Sequence, residues 1–488
     1  VTASPGVPAL VAELTSRLRP NQVLSDPVEL RTYECDGLTS HRAVPLLAVL
    51  AESTADVQAV VELCRDHELP FVSRGAGTGL SGGAMPAADG VVIVLTRMRR
   101  IRSLDVANGR MTVEPGVTNL EVSRAAAAHG LFFAPDPSSQ VVCTIGGNVA
   151  ENSGGAHCLK YGFTSHHVLA LEVVLGDGTL VELGDGLEDS PGYDLRGFFV
   201  GSEGTLGVVC AATVRLLRRP EAVETVLVDF PGPVEAGEAV GAVIAAGIVP
   251  SAMEMLDALA VEACERAVGA GFSREAGAVL LVEVDGTGAE CEGTLDRVLR
   301  ACRAAGATGL KVAADDSERA RMWAGRKAAF AAMGRLSPSF LIQDGVIPRT
   351  SLAEVLGEIG ALAREAGLRV ANVFHAGDGN LHPLVLYDSS GDGEAERAEA
   401  LSSSIIAACV RAGGSITGEH GVGVDKACAM PLMFSETDLE VMKTVRGAFD
   451  PAGTCNPGKV FPTPRLCGER PGPYRPHPLE EAGVIGRW

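Results

Sequence analysis

The sequence predicts an α+β protein of two mixed domains, the second built on one antiparallel sheet, and three observations carry that reading. Between Pro45 and Pro220 short β-favouring runs alternate with glycine-rich turns and two amphipathic helices. After Pro220 the grain changes to longer strand and helix segments in an order that lays helices against an antiparallel sheet. A chain of 488 residues with 46% hydrophobic and 21% charged residues is also ordinary globular material, long enough for two or three domains and a large core.

Taken in order, residues 1–20 carry Glu13, Arg17 and Arg19 among spaced apolar positions without an uninterrupted apolar run, which reads as a short surface helix rather than a signal peptide. Strands are expected at 46–50, 71–73, 91–95, 111–113, 169–175 and 208–217. Helices are expected at 53–67, with Val57, Val60, Val61 and Cys64 on one face, and at 119–129. The second domain reads as strand 225–230, helix 234–246, strand 278–284, helices 289–305 and 317–333, strand 340–347, helix 351–366 and a hairpin near 371–387. Helices 394–412 and 436–449 follow, and the Pro-, Gly- and Arg-rich stretch from Thr463 reads as an extended arm.

Composition excludes several classes of partner. A net charge of −20 and a pI near 5 offer no basic stripe to nucleic acid or to an anionic membrane surface. The longest apolar runs, such as 239–249, fall short of the roughly 18–20 residues that span a bilayer, so no transmembrane helix is expected. Twelve cysteines without a Cys-x-x-Cys pattern favour reduced, buried thiols in a cytoplasmic protein and provide no iron–sulfur cluster of the usual spacing.

The most informative segments are His375-Ala376-Gly377-Asp378-Gly379-Asn380-Leu381-His382 and Gly418-Glu419-His420-Gly421-Val422-Gly423. The first reads as a hairpin with one His at each side of a six-residue loop, which would set the two Cβ atoms about 4.5–5.5 Å apart on facing strands. Two imidazoles then converge on one divalent ion, Glu419 completes a facial set, and open positions remain for substrate. With Glu419 on the metal, the adjacent His420 is placed as general base.

Three glycine clusters precede these segments. The first, residues 74–83, contains Gly77-x-Gly79-x-x-Gly82, but a strand rather than a helix follows, so a dinucleotide fold of the nicotinamide type is excluded. Five glycines in nine residues still present free backbone N–H groups in one concavity, which suits a diphosphate. The second, 135–155, mixes glycines with Ser, Thr and Asn donors. The third, 201–209, ends in a strand and offers backbone groups to a flat heterocycle.

Together these motifs resemble the FAD-dependent 2-hydroxy-acid dehydrogenases of the vanillyl-alcohol-oxidase (PCMH-type FAD) fold, most nearly the FAD-binding catalytic subunits of glycolate oxidase and the D-lactate dehydrogenases. The resemblance runs in order over residues 25–463. It implies a two-part FAD-binding domain (1–220, with a return segment at 427–463), an α+β cap with an antiparallel sheet carrying substrate and metal (221–426), and a tail (464–488). It also implies that FAD is held by Arg74, Gly75, Ala76, Gly77, Thr78, Gly79 and Gly82, by Pro137, Ser139, Thr144, Gly147, Asn148, Asn152 and Gly154, and by Val209 and Asn456. Members that attach FAD covalently carry a His where this chain has Thr78, so the flavin is expected to be non-covalent. The same resemblance assigns His375, His382 and Glu419 to a divalent metal, Zn²⁺ or Mn²⁺, and His420 to proton abstraction.

On the substrate side, Arg319, Trp323, Arg326 and Phe330 share one face of helix 317–333. The resemblance gives Arg326 the substrate carboxylate, a task suited to a planar guanidinium fork. Phe330 and Ile342 stand where enzymes acting on 2-hydroxyglutarate carry Thr and Lys, and a buried carboxylate without a donor costs several kcal/mol. Glycolate or D-lactate is therefore expected over D-2-hydroxyglutarate. Electrons must pass to an external acceptor: a quinone, an electron-transfer flavoprotein or an iron–sulfur subunit. The expected location is the cytoplasm, or the inner-membrane surface through a partner. The rivals are a D-2-hydroxyglutarate dehydrogenase, a transferase of the alkyl-glycerone-phosphate-synthase type, and a non-catalytic FAD-binding subunit of an oxidase complex, which has no use for the hairpin histidines.

Overall fold

A computed structural model describes residues 6–186 and 192–462. The tail expected at 464–488 lies outside the described residues. In the N-terminal domain Leu47–Leu50, Val91–Val94 and Phe71–Arg74 form a parallel layer, with Val23–Leu24 added antiparallel at one edge. Helix Thr54–Asp66 begins where the Ser53 hydroxyl accepts from Asp56 N, and it buries Val57, Val60, Val61 and Cys64 against Leu47, Val49 and Ile93. A second, antiparallel layer runs Ile101–Asp105, Arg110–Val113, Val208–Arg215, Val168–Val174, Leu180–Leu183. The chain returns to this domain after the cap: Phe71 N donates to Thr454 O (2.9 Å) and Asn456 N to Phe71 O (2.8 Å).

The cap is a nine-stranded antiparallel sheet whose central strands, Ala222–Phe230, Ala278–Gly286 and Ala252–Asp257, carry helices on both faces. Helices Pro233–Ala245 and Leu352–Ala366 cover one face, while Ala258–Ala267 and Asp316–Ala332 cover the other. The strand Ala252–Asp257 and helix Ala258–Ala267 were not expected. The strand reads Ala-Met-Glu-Met-Leu-Asp, without a β-branched residue and with an acid at its centre, so local propensity gives no strand signal. Burial on both faces decides it: all six residues are buried.

Two further expectations need correction. Strand 340–347 is two strands, Ser339–Ile342 and Gly345–Val346, which pair with Pro383–Tyr387 and Asn380–Leu381 and leave Asp344 in the break. The histidine hairpin is also tighter than a six-residue loop. His375 pairs with Asn380 and Asn372 with Pro383, so the turn is four residues long and His382 sits diagonally from His375 rather than opposite it. The pleat still puts both side chains on one face, because their offset along the ladder is even.

The domains meet through His157, whose Nδ1 lies 2.8 Å from Asp136 and Nε2 3.0 Å from Glu283 of the cap sheet. Trp323 stacks on the imidazole and donates to the same Glu283 (2.6 Å).

Candidate active site

The cap sheet fixes the histidines. Glu254 lies directly across from His375 in the ladder, and its Oε1 meets His375 Nδ1 at 2.7 Å. A carboxylate on Nδ1 settles the ring orientation and leaves Nε2 pointing inward. The other Glu254 oxygen accepts from Arg326 Nε at 2.6 Å, an ion pair whose side chains are 0% and 3% exposed. The His375 and His382 rings stand edge to face with centroids 5.1 Å apart.

Glu419 supplies the third group. Its Oε1 lies 3.2 Å from His375 Nε2, 3.4 Å from His382 Nε2 and 3.7 Å from His420 Nε2, while Oε2 is buried with no partner among the described residues. Burial alone would raise this carboxyl, but the surrounding imidazoles more than offset it and hold it at about 2. For His375 burial likewise opposes charge, yet Glu254 and Glu419 keep it well above the ordinary histidine range. An anionic oxygen facing two inward nitrogens, with its second oxygen orphaned, fits a divalent cation, and the ligand atoms of His375, His382 and Glu419 all lie within 4.8 Å of one another.

His420 stacks on His382, with centroids 4.8 Å apart and planes at 14°. Burial pushes its imidazole down to about 4 against the pull of Asp344, so it stands neutral. Asp344, fully buried in the strand break, shapes this loop. It accepts from Thr417 Oγ1 (2.5 Å) and from the amides of Gly418 (2.9 Å), Glu419 (3.2 Å) and His420 (2.9 Å), and it faces His382 Nε2 (3.2 Å). Asp344, His382 and His420 make an overlapping candidate metal set. With its oxygens already taken by N–H and O–H donors, Asp344 is an anchor for the loop rather than a free ligand.

Glu419 and His420, with His375, His382 and Asp344 buried behind them, open onto a cleft of about 1300 Å³ whose other wall is made by the glycine loops. Arg74, Gly75, Ala76, Gly77, Thr78, Gly79, Pro137, Ser139, Thr144, Gly147 and Asn148 line it, together with Phe330, Ile342, Glu419 and His420. A Cβ on Gly75 would collide with Thr144 Oγ1, which joins the first two loops into one cradle, and Thr144 caps a short helix, Ile145–Glu151, that was not expected from sequence. Arg74 is buried behind the first loop; a Cβ on Gly77 would run into its guanidinium. This bare-backbone concavity fits the diphosphate of a dinucleotide such as FAD.

Five residues of the expected cofactor set stand off the cleft wall. Gly82 packs on Val424, Asn152 accepts from Ser165 N, Gly154 packs on Phe163 and Glu419, Val209 lies buried in its strand, and Asn456 donates to Gly83 O and Glu203 O. Arg326 does not line the cleft either: it is 2% exposed, pairs with Glu254, and lies 5.9 Å from the Phe330 ring that does line the cleft. Its Nη2 has no partner among the described residues.

Sequence reasoning missed Glu254, Asp344, Glu151 and Glu203, and the cations Lys327 and Lys426, which line the same cleft. An acid between apolar neighbours was the available signal for Glu254. Gln343-Asp344-Gly345 carries none, because its partners are 38 to 76 residues away.

The family profile for the FAD binding domain matches residues 45–184, and that for the C-terminal domain of FAD linked oxidases matches residues 219–460. The chain is 48% identical to the glycolate oxidase subunit GlcD of Escherichia coli (strain K12), over 92% of this chain and 90% of that protein. Against D-lactate dehydrogenase of Anaerostipes hadrus the figures are 33%, 86% and 90%. The crystal structure of p-cresol methylhydroxylase with substrate bound superposes with a TM-score of 0.78 over 93% of this chain and 96% of that one, at 17% identity, so the PCMH-type fold is shared.

Proposed function

The chain belongs to the FAD-linked oxidases as an FAD-dependent oxidoreductase of the 2-hydroxy-acid group, and on that premise we propose that it oxidises glycolate or D-lactate to the 2-oxo acid. The observation that carries this reading is one carboxylate oxygen, Glu419 Oε1, facing the Nε2 atoms of His375, His382 and His420 at 3.2, 3.4 and 3.7 Å, with Glu419 and His420 on the wall of the glycine-loop cleft and the other two histidines buried behind them. FAD, held without a covalent link, supplies hydride acceptance when bound. A divalent ion such as Zn²⁺ or Mn²⁺, held by His375, His382 and Glu419, supplies acidification of the α-hydroxyl.

The residues of the chain do the rest. His420 Nε2 accepts the hydroxyl proton, and stacking on His382 keeps the ring beside the metal ligands. Phe330 and Ile342 give the substrate end of the cleft an apolar wall. Arg326 Nη2, without a partner among the described residues and with its guanidinium against the Phe330 ring, is the group offered to the carboxylate once substrate displaces that ring. Electrons leave to an external acceptor, a quinone, an electron-transfer flavoprotein or an iron–sulfur subunit; the GlcD relative is itself called a subunit. No described helix is long and apolar enough to cross a membrane, which is compatible with a cytoplasmic protein or one held at the inner membrane by a partner.

One observation favours a second substrate, D-2-hydroxyglutarate: exposed Lys327 lines the cleft beside Phe330 and offers a distal cation that Phe330 and Ile342 themselves lack. Anaerobic bleaching of the bound flavin by glycolate, D-lactate, L-lactate and D-2-hydroxyglutarate separates the readings. The monocarboxylates should win by at least roughly tenfold in kcat/KM. Equal efficiency on the dicarboxylate would give Lys327 that role, and no bleaching by any of them would leave a non-catalytic subunit.

A further inference from the structure

The loop that carries Glu419 and His420 is held by its backbone from two sides. Asp344 of the cap takes the amides of Gly418, Glu419 and His420. Glu203, from the third glycine loop of the FAD-binding domain, takes the amides of Val422 and Gly423, both at 2.7 Å. Beyond any backbone groups that loop offers to a flat ring, Glu203 adopts a left-handed backbone (φ 53°), and its carboxylate reaches across to the base loop.

Gly421, the one residue of 418–423 whose amide neither carboxylate takes, packs on Glu203 and on Glu151. A Cβ on Gly421 would collide with Glu151 Oε2 and lie 2.9 Å from Glu203 Oε1. On the opposite side, a Cβ on Gly83 of the first glycine loop would lie 2.6 Å from Glu151 Oε1 and 3.5 Å from Glu203 Oε2. The two carboxyl groups are therefore side by side between a glycine of the cofactor cradle and a glycine of the base loop. Asn456 completes the junction by donating to both Gly83 O (2.8 Å) and Glu203 O (2.6 Å).

We propose that Glu203 is a positioning residue that sets His420 in register with the flavin-binding loops by pinning the base loop across the domain boundary, with Glu151 packed beside it. Burial raises the Glu203 carboxyl as well, opposed by the amides of Val422 and Gly423 and by Lys426 and Lys459. Glu151 Oε2 has no partner among the described residues, and burial, reinforced by Glu203, pushes the Glu151 carboxyl well above the ordinary range. The other charged groups that bear on the pair are Asp36, Lys426 and Lys459. The role rests on the reading of His420 as base, since a misplacement of about 1 Å in such a group costs on the order of 10²-fold in rate.

The test uses holoenzyme loaded with FAD and Mn²⁺ and reads two quantities, amide hydrogen exchange over 418–424 and anaerobic flavin reduction by glycolate. Glu203→Gln puts an N–H₂ where one of the two amides needs an acceptor. Exchange at Val422 and Gly423 should accelerate by roughly tenfold or more. Flavin reduction should slow by roughly 10–10²-fold while FAD content, Mn²⁺ content and substrate affinity hold. Glu151→Gln keeps the shape without a charge and should retain slow exchange in this segment. Unchanged exchange in Glu203→Gln overturns the proposal, and so does a rate loss accompanied by loss of Mn²⁺. If the wild-type flavin is not reduced by any 2-hydroxy acid, the functional reading fails while exchange alone still decides the clamp.

Discussion

His420, the proposed base, illustrates how little a side chain in this site depends on its own neighbours in sequence. Its backbone N–H is held by Asp344 and its ring by His382, both contributed by the cap sheet. His420→Asn keeps a polar side chain and removes the base, so FAD and metal content should persist while flavin reduction falls by roughly 10²–10⁴. Stopped-flow reduction without oxygen isolates that step; a wild-type rate would move the base elsewhere. The pair Glu419-His420 was legible from sequence because both side-chain types sit between glycines. Asp344 was not, because an anchor is defined by the donors that converge on it, and those are brought together only by the fold.

At the scale of the element, helix Asp316–Ala332 and strand Ala252–Asp257 are joined by Arg326 and Glu254, an ion pair hidden from water. Arg326→Met would leave Glu254 buried with only His375 beside it, a loss of the kind that costs about 3–5 kcal/mol. Chemical denaturation should show that loss without any substrate present, whereas a residue that only grips a carboxylate would leave stability unchanged. The hairpin predicts a pH dependence as well. Without metal, His375 is protonated through and above the ordinary histidine range, and a metal must displace that proton. Mn²⁺ affinity should therefore rise with pH across neutrality and fall as pH drops. Titration calorimetry in buffers of different ionisation enthalpy checks the released proton, and an affinity independent of pH between about 6 and 8 would exclude His375 as a ligand.

For the molecule as a whole, the cofactor cradle and the cap chemistry meet in one cleft, and the two are held in place by different forces. The cradle is a set of glycine loops that position backbone groups by leaving out side chains, and the first of them, residues 74–83, holds Thr78 and no histidine. Acid precipitation should therefore release the flavin into the supernatant, and colour retained in the washed pellet would point to a linkage, for which His41 in the same cleft is one nucleophile. The cap is held onto the cradle by charged contacts, with His157 between Asp136 and Glu283, and Glu203 against the base loop. The described free cysteines are buried, Cys35 aside, and burial disfavours their thiolates, pushing Cys210 and Cys264 up to about 12.

The sequence by itself determined the α+β class, the longer helices of both domains except Ala258–Ala267, the histidine hairpin, the Glu-His loop and the glycine loops, because each is written in local periodicity, turn chemistry or residue type at close spacing. Val57, Val60, Val61 and Cys64 show the strength of such signals, since the face they predict is the face that is buried. Only the tertiary structure decided the hairpin register, the strand through Glu254, the pairing of Arg326 with that acid, and the carboxylates Asp344, Glu151 and Glu203 that hold the site. Their interactions join residues as far as 220 positions apart, with energies set by burial and by convergence of donors, and neither quantity exists until the chain is packed.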